Sequence, residues 1–152
     1  MTASYRIRAA KPADLPEIVH LCAEHAEFEQ ADYSAFGKAE RLQTHLFGIP
    51  PAVYCLVVEM GNSLSGYATY SKEFSTWDAG FYIHMDCLFL RPHVRSLGIG
   101  EMLMKRIKEE ARRLGCRLIQ WQTPTFNTRA IKFYRRIGAV EKEKMRFYLT
   151  VE

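Results

Sequence analysis

Apolar residues recur along the chain with two different periods, and these periods divide it into strands and helices. Alternation with a period of two predicts a first strand from Tyr5 to Ala9. Spacings of three and four residues predict two helices after it, one that begins near Pro12 and one that runs from Lys38 to Phe47. The second helix ends at Gly48, before two prolines that cannot continue it.

The middle of the chain is rich in Val, Tyr and Thr and predicts an antiparallel meander. Its first two strands, Ala52 to Glu59 and Leu64 to Lys72, flank Gly61 and Asn62, a pair typical of a tight connection. A third strand runs from Phe81 to Leu90. These three strands form the expected centre of the sheet.

Helices and strands alternate in the last third of the chain. The most regular helix spans Gly98 to Leu114, and a strand from Arg117 to Thr123 follows it. Asn127 caps a last helix that ends at Gly138. Two short segments, Val140 to Glu141 and Met145 to Val151, predict a closing pair of strands.

The order of these elements predicts an α/β (α+β) fold. We expect a mixed, mostly antiparallel, twisted sheet of six to seven strands with about four helices on both its faces. The length of 152 residues suits one domain that covers residues 1–152.

Composition and charge narrow the function classes. The first residues lack the apolar core of a signal peptide and no apolar run could cross a bilayer, so we predict a cytoplasmic protein with no membrane partner. The four cysteines form no CxxC pair, and we expect no metal and no disulfide framework. Of the 21 Lys and Arg residues, 14 follow Arg91, which favours a localised anion site. No nucleic-acid-binding motif accompanies them, so a phosphate-bearing cofactor ranks above nucleic acid.

The segment before the most regular helix has the chemistry of an anion cradle. Arg95, Gly98 and Gly100 stand where a strand gives way to that helix. Amides at a helix start carry partial positive charge, glycine lets a diphosphate approach the backbone, and Arg95 adds a full charge. The alternative is a plain glycine turn. A Rossmann fingerprint does not fit, because Leu103 stands where a third glycine or alanine is required.

Arg95-x-x-Gly98-x-Gly100 resembles the R/Q-x-x-G-x-G/A signature of the GNAT superfamily of N-acetyltransferases. Three further pieces look like its diamine (spermidine/spermine and thialysine) acetyltransferase branch: Ala26 to Glu29, Ser75 to Trp77, and Asn127 to Ala139. The chain departs from that branch at Asp86, where Glu is usual, and in its shorter ending.

The resemblance implies acetyl-coenzyme A as co-substrate, with its diphosphate in the cradle and its pantetheine arm beside the third meander strand. The implied cofactor-binding residues are Leu88, Phe89, Leu90, Arg95, Ser96, Leu97, Gly98, Ile99, Gly100, Asn127 and Tyr134. It also implies that Tyr134 is the general acid for the departing thiolate. The alternative for Tyr134 is a core aromatic residue with a satisfied hydroxyl.

We expect the general base that deprotonates the amine to lie on the third meander strand. In a regular strand His84, Asp86, Leu88 and Leu90 share one face. The resemblance aligns Asp86 with a carboxylate that deprotonates the amine through water, and His84 is the second candidate. Since an ordinary Asp has a pKa of about 4, Asp86 could instead bind the cation and order water.

An acceptor site is predicted where carboxylates and aromatic faces gather, which suits a small cationic amine such as a diamine, a polyamine or a lysine-like amino acid. Its candidate residues are Glu27, Glu29, Tyr33, Trp77 and Asp86. The alternative is a solvated helix end and loop. Two other functions stay open: a protein N-terminal or lysine acetyltransferase, and a coenzyme A binding module without catalysis. The resemblance also implies a homodimer, with Phe147 or Tyr148 at its interface.

Overall fold

The computed structural model describes residues 4–152, and within them we number five strands and four α-helices. The strands are β1 (Arg6–Ala9), β2 (Tyr54–Met60), β3 (Ser63–Ser75), β4 (Gly80–Leu90) and β5 (Ile119–Gln120). The helices are α1 (Leu15–Phe28), α2 (Lys38–Leu46), α3 (Ile99–Arg113) and α4 (Thr128–Arg136).

The described chain divides into two compact units. The first runs to Gln122 and contains the sheet with α1, α2 and α3. The second begins at Thr123 and contains α4 and the C-terminal segment. That the whole chain acts as a single domain stays a prediction.

The strands are arranged in the order in which they occur along the chain. The pairs β1–β2, β2–β3 and β3–β4 are antiparallel, and β5 pairs with β4 in parallel. The tight connection between β2 and β3 contains Gly61 at a φ of 60°, a conformation that glycine adopts without strain. The predicted mixed, mostly antiparallel sheet is confirmed.

Helices α1 and α2 cover one face of the sheet. The buried stripe of α1 consists of Leu15, Ile18 and Leu21, and it packs with Val57 of β2 and Tyr67 of β3. Burial of one such aliphatic side chain contributes about 1.5–3 kcal/mol to folding. This layer therefore fixes the position of α1 relative to the central strands.

Helix α3 covers the opposite face. Its buried stripe, which includes Leu103 and Ile107, lies outside the layer under α1. Arg106 of α3 and Tyr70 of β3 line the same small cavity, whose volume is about 150 Å³. The expected arrangement of helices on both faces is therefore found within the first unit.

An ion pair that apolar periodicity does not reveal fixes the entry to α1. Arg8 of β1 donates to both carboxylate oxygens of Asp14, at 2.7 and 2.9 Å, and it also binds Glu59 of β2 at 2.8 Å. The backbone N–H of Lys11 donates to Asp14 as well. The hydrogen bonds from Arg8 hold the pKa of Asp14 below its ordinary value.

The predicted closing pair of strands is wrong: the described residues contain five strands, not six to seven. Residues 139–152 form no strand, and the large apolar side chains among them, such as Met145 and Phe147, are largely exposed. Alternation identifies a segment that can form a strand, but a strand also needs a partner backbone for its ladder. At the start of this segment, Glu141 is instead held by Arg135 at 2.8 Å. Strand β5 is likewise shorter than expected.

Two classes of feature are missing from the part of the chain that the structure describes. No helix there is long and apolar enough to span a membrane. No group of three or more His, Cys, Asp and Glu side chains there could hold a metal ion.

Candidate active site

The turn before α3 has the features of an anion cradle. Ser96 and Gly98 adopt left-handed φ values of 64° and 81°. The first backbone hydrogen bond of the helix runs from the N–H of Met102 to the C=O of Gly98, so the amides of Ile99 and Gly100 have no acceptor within the helix. A Cβ added at Gly98 would meet no atom within 4 Å apart from its chain neighbours, so this turn borders open space. Donors, a positive helix end and room together fit a diphosphate.

Arg95 is anchored beside this turn. Its Nε donates to the C=O of Leu90 at 2.8 Å. The guanidinium lies 4.6 Å from the ring centroid of Phe28 and 5.5 Å from that of Phe89. These contacts hold the predicted charge of the cradle between the end of α1 and the end of β4.

Strands β4 and β5 are paired only over a short stretch. Ile83 pairs with Ile119 and His84 with Gln120. Beyond His84, no strand in residues 4–152 pairs with this edge of β4. The edge of β4 beside the predicted cofactor-binding residues therefore has no neighbouring strand. An extended molecule can add to a sheet only at such an unpaired edge.

A β-bulge interrupts the β3–β4 ladder at Asp86. Thr69 faces Cys87, but the next residue, Tyr70, faces Met85, so Asp86 is left without a cross-strand partner. Side chains exchange faces at this point. Cys87 packs against the layer under α1, whereas Met85, two residues earlier, is buried outside that layer.

The bulge corrects the prediction that His84, Asp86, Leu88 and Leu90 share one face. The extra residue shifts the alternation by one, so His84 lies on the face opposite to Leu88 and Leu90. His84 and Asp86 nevertheless lie side by side, with Nε2 of His84 3.9 Å from Oδ1 of Asp86. Their side chains are 37% and 66% exposed, so both are accessible to a bound molecule.

The thiols of Cys22, Cys55 and Cys87 stay protonated at neutral pH. Burial, and secondarily the charge of Asp86, raises the pKa of Cys87 to about 11. Burial raises the pKa of Cys55 to about 12, and it also raises the pKa of Cys22. Since the thiolate is the nucleophile, none of these three cysteines is set up to carry an acyl group.

Two of the predicted acceptor residues, Glu27 and Glu29, lie at the end of α1. Glu27 is exposed. Oε2 of Glu29 lies 2.6 Å from Nε2 of His25, one helical turn earlier. The side chain of Glu29 is 32% exposed, so a carboxylate that His25 holds still borders the solvent.

Tyr33 lies beside the middle of α1. Its hydroxyl donates to the C=O of Val19 at 3.4 Å, and Nζ of Lys38 lies 4.4 Å from its ring centroid. Burial raises the pKa of Tyr33 above the ordinary value. The ring therefore already has a cation on one face.

Trp77 is not brought together with Glu29 within one chain. It lies in the turn between β3 and β4 and is 96% exposed. The strand from Gly80 to Phe89 spans about 30 Å when extended, and the ring of His25, which holds Glu29, stacks on Phe89 at its far end.

Asn127 and Tyr134 both belong to α4, in the second unit. Oδ1 of Asn127 accepts a hydrogen bond from the N–H of Ala130 at 3.2 Å, so the predicted N-cap is confirmed. Tyr134 is half-buried, and its ring centroid lies 5.3 Å from that of Phe133. The roles of Asn127 in cofactor binding and of Tyr134 as general acid stay predictions.

A family model described as the acetyltransferase (GNAT) family matches residues 18–139. The chain belongs to this GNAT acetyltransferase family. The matched range includes β4, the turn before α3 and α4. It confirms the resemblance carried by Arg95-x-x-Gly98-x-Gly100, and with it an acyltransferase enzyme.

Named relatives support the same branch of the GNAT family. The mouse thialysine N-epsilon-acetyltransferase is 31% identical over 145 residues, which cover 90% of this chain and 85% of that protein. The Caenorhabditis elegans thialysine N-epsilon-acetyltransferase is 28% identical, over 97% of this chain and 90% of that one. A human spermidine/spermine N(1)-acetyltransferase-like protein is 27% identical over 90% of this chain and 21% of its own length.

Solved structures with low sequence identity share the GNAT fold. An aminoglycoside acetyltransferase from an uncultured soil metagenomic sample, in complex with trehalose, superposes with a TM-score of 0.82 at 19% identity, over 97% of each chain. An aminoglycoside N-acetyltransferase in complex with CoA gives a TM-score of 0.78 at 18% identity, over 99% of this chain and 97% of that one. The predicted α/β GNAT fold is confirmed, with the strand count corrected to five among residues 4–152.

Reasoning from sequence missed His25 and its partner Tyr67. The contact of His25 with Glu29 could have been found from the sequence, because the two residues are four positions apart on a helix and such pairs are neighbours. The contact of His25 with Tyr67 joins α1 to β3 across 42 positions of the chain, and only the packed fold brings these two residues to hydrogen-bond distance.

Proposed function

We propose that this protein transfers the acetyl group of acetyl-coenzyme A to a primary amine of a small cationic substrate, a diamine, a polyamine or a lysine-like amino acid. The observation that carries the proposal is the turn at Gly98, which borders open space and precedes helix amides that have no acceptor within the helix. The names of the thialysine and spermidine/spermine relatives support the acceptor class.

The residues that would hold acetyl-coenzyme A are those of the turn and of the free edge of β4. The amides of Ile99 and Gly100 would donate to the diphosphate, with the charge of Arg95 beside them. The backbone of Leu88 and Leu90 would bind the extended arm. When bound, acetyl-coenzyme A supplies an acetyl group on a good leaving group, a thiolate.

The amine must lose a proton before it attacks, and the departing thiolate must gain one. We assign the first task to Asp86 with His84 beside it, and the second to Tyr134. Because the thiols of Cys22, Cys55 and Cys87 are protonated and buried or half-buried, we propose that the amine attacks directly in a ternary complex.

The acceptor would be recognised through its positive charge. Glu27 and Glu29 at the end of α1, together with the exposed carboxylate of Asp86, provide negative charge on or beside the face of the sheet that α1 covers. A second cationic group on the acceptor would then gain attraction that a monoamine of the same length lacks.

An acceptor screen tests this function. The purified protein and acetyl-coenzyme A are incubated with putrescine, spermidine, lysine, thialysine, butylamine or a lysine-containing peptide, and release of the coenzyme A thiol is measured. We expect turnover that depends on the added amine and is fastest with a small di- or polycation. Turnover with the peptide alone would assign the protein to the protein acetyltransferases. Binding of acetyl-coenzyme A without turnover on any amine would indicate a module without catalysis.

We further propose that the protein is a cytoplasmic homodimer. Phe147 and Tyr148 are 84% and 80% exposed, and large exposed apolar side chains are typical of interfaces. Light scattering after gel filtration gives the mass in solution, and a monomer at micromolar concentration would contradict the dimer. Fractionation of the source cells tests the cytoplasmic location.

A further inference from the structure

His25 is a polar residue inside an apolar layer. Its ring stacks on Phe89 with centroids 5.1 Å apart and meets Tyr67 edge-on at 5.8 Å, and Tyr67 and Phe89 are themselves cross-strand partners. Only 13% of its side chain is exposed. Nδ1 lies 2.9 Å from the hydroxyl of Tyr67, and Nε2 lies 2.6 Å from Oε2 of Glu29. Both ring nitrogens therefore have partners.

The directions of these hydrogen bonds follow from the chemistry of the two partners, the carboxylate of Glu29 and the hydroxyl of Tyr67. An ionised carboxylate only accepts, so Nε2 of His25 donates to Glu29. In the neutral ring Nδ1 is then an acceptor, and the hydroxyl of Tyr67 donates to it. Tyr67 keeps its proton because burial raises its pKa above the ordinary value. One tautomer of His25 therefore satisfies both contacts.

The contact with His25 leaves part of Glu29 available. A carboxylate has two oxygens, each able to accept hydrogen bonds, and His25 binds Oε2. The side chain remains 32% exposed. An anchored carboxylate of this kind loses less conformational freedom when it binds a cation than a freely rotating one does.

The same aromatic support reaches the cradle. Phe89 carries the ring of His25, and the guanidinium of Arg95 lies 5.5 Å from the centroid of Phe89. Phe28, in the last turn of α1, contacts both Phe89 and Arg95. Glu29 and Arg95 are therefore held by one packed group of side chains.

We propose that His25 is a positioning residue that sets acceptor specificity: it holds Glu29 so that the free carboxylate oxygen binds the second cationic group of the acceptor. This inference rests on the proposed acetyl transfer to a cationic amine. His25 acts through Glu29 and does not touch the reacting atoms.

The test compares two acceptors that differ only in the second charge. The kcat/KM for putrescine is divided by that for butylamine, which has the same carbon chain and one amine. His25→Phe keeps an aromatic ring against Phe89 and removes both hydrogen bonds. We expect the ratio to fall by about tenfold, because a hydrogen bond to a charged group is lost. The fall should come from a higher KM for putrescine, while kcat stays nearly the same for both acceptors.

A double-mutant cycle separates positioning from packing. Glu29→Gln should lower the same ratio by about tenfold or more, and His25→Phe combined with Glu29→Gln should lower it no further. His25→Gln, whose amide has one donor and one acceptor group, should restore part of the ratio. His20→Phe is the matched control, since His20 is exposed on the same helix, and it should leave the ratio unchanged.

Each result decides between named alternatives. Equal losses for putrescine and butylamine in His25→Phe, or additive losses in the double variant, would overturn the positioning role while acetyl transfer stands. A ratio that Glu29→Gln leaves unchanged would overturn it as well, because Glu29 would not bind the acceptor. Absence of turnover on every amine by the unmodified protein would overturn the proposed function and this inference together.

Discussion

Nε2 of His84 lies 3.9 Å from Oδ1 of Asp86, at the point where the bulge removes Asp86 from the β3–β4 ladder. This distance exceeds that of a hydrogen bond but lies within the range of an ion pair, so the two groups are neighbours with no hydrogen bond between them. The two candidates for the base therefore lie side by side with their proton-binding atoms unengaged by each other.

Asp86→Asn keeps the shape of the side chain and removes its charge. If Asp86 takes the proton of the amine through water, we expect kcat to fall by about 100-fold, with the KM for acetyl-coenzyme A nearly unchanged. His84→Gln should lower kcat by less than about tenfold. Steady-state thiol release with the best acceptor measures both. The opposite order of effects would assign the base to His84.

Gly98→Ala tests the cradle, and Gly115→Ala is a matched control. Both glycines have positive φ values, 81° and 75°, and neither has an atom within 4 Å of the position of an added Cβ. Each substitution should cost about 1 kcal/mol of unfolding free energy, because alanine is strained in this conformation. Only Gly98→Ala should raise the KM for acetyl-coenzyme A, by about tenfold or more, since its methyl group enters the space beside the amides. Equal kinetics in the two variants would refute a cradle at Gly98.

Tyr134→Phe removes one hydroxyl and keeps the ring that lies beside Phe133. A general acid contributes about 10²- to 10⁴-fold to a rate, so we expect kcat to fall by at least about 100-fold while acetyl-coenzyme A binding, measured by calorimetry, stays the same. Tyr5→Phe, at a half-buried position just before β1 that has no assigned role, should have no effect. Full activity in Tyr134→Phe would exclude the acid role.

The helices and the cradle could be predicted from the sequence because their signals are local. Gly98 and Gly115 flank α3 with positive φ values, which glycine adopts readily. Asn127 caps α4 because its side chain accepts a hydrogen bond from a backbone N–H of the first turn. The motif at Arg95, together with the strand before it and the helix after it, indicated the family. These features depend on residues a few positions apart.

The bulge and the anchoring of Glu29 could not be predicted, because both depend on contacts between distant residues. Asp86 loses its cross-strand partner only because Thr69 and Tyr70 of β3 pair with the residues on either side of it. The residue pattern of β4 alone does not reveal this pairing. Glu29 was predicted as an acceptor-binding residue, but its connection to Tyr67 through His25 exists only in the folded chain. The C-terminal alternation was misread for the related reason that a strand needs a partner backbone.

Asp14→Asn tests the ion pair at the entry to α1, at the opposite end of that helix from Glu29. Arg8 and Asp14 are each 9% exposed, and removal of the Asp14 charge leaves Arg8 paired with Glu59 at the edge of the cluster. Because charged hydrogen bonds are lost while Glu59 still balances Arg8, we expect the unfolding free energy at pH 7 to fall by about 2 kcal/mol in urea titrations. Asp32→Asn, at an exposed position, should change it by less than about 0.5 kcal/mol.

The pH dependence of that loss follows from the direction of the shift. Arg8 lowers the pKa of Asp14 in the folded state, so its contribution is fully present above the unfolded pKa of about 3.9 and is lost as the pH falls through the folded value. The difference between the original protein and Asp14→Asn should therefore shrink when the urea titration is repeated below about pH 4. A difference of the same size at pH 7 and at pH 3 would mean that Asp14 acts through its shape and hydrogen bonds, and that its charge contributes nothing.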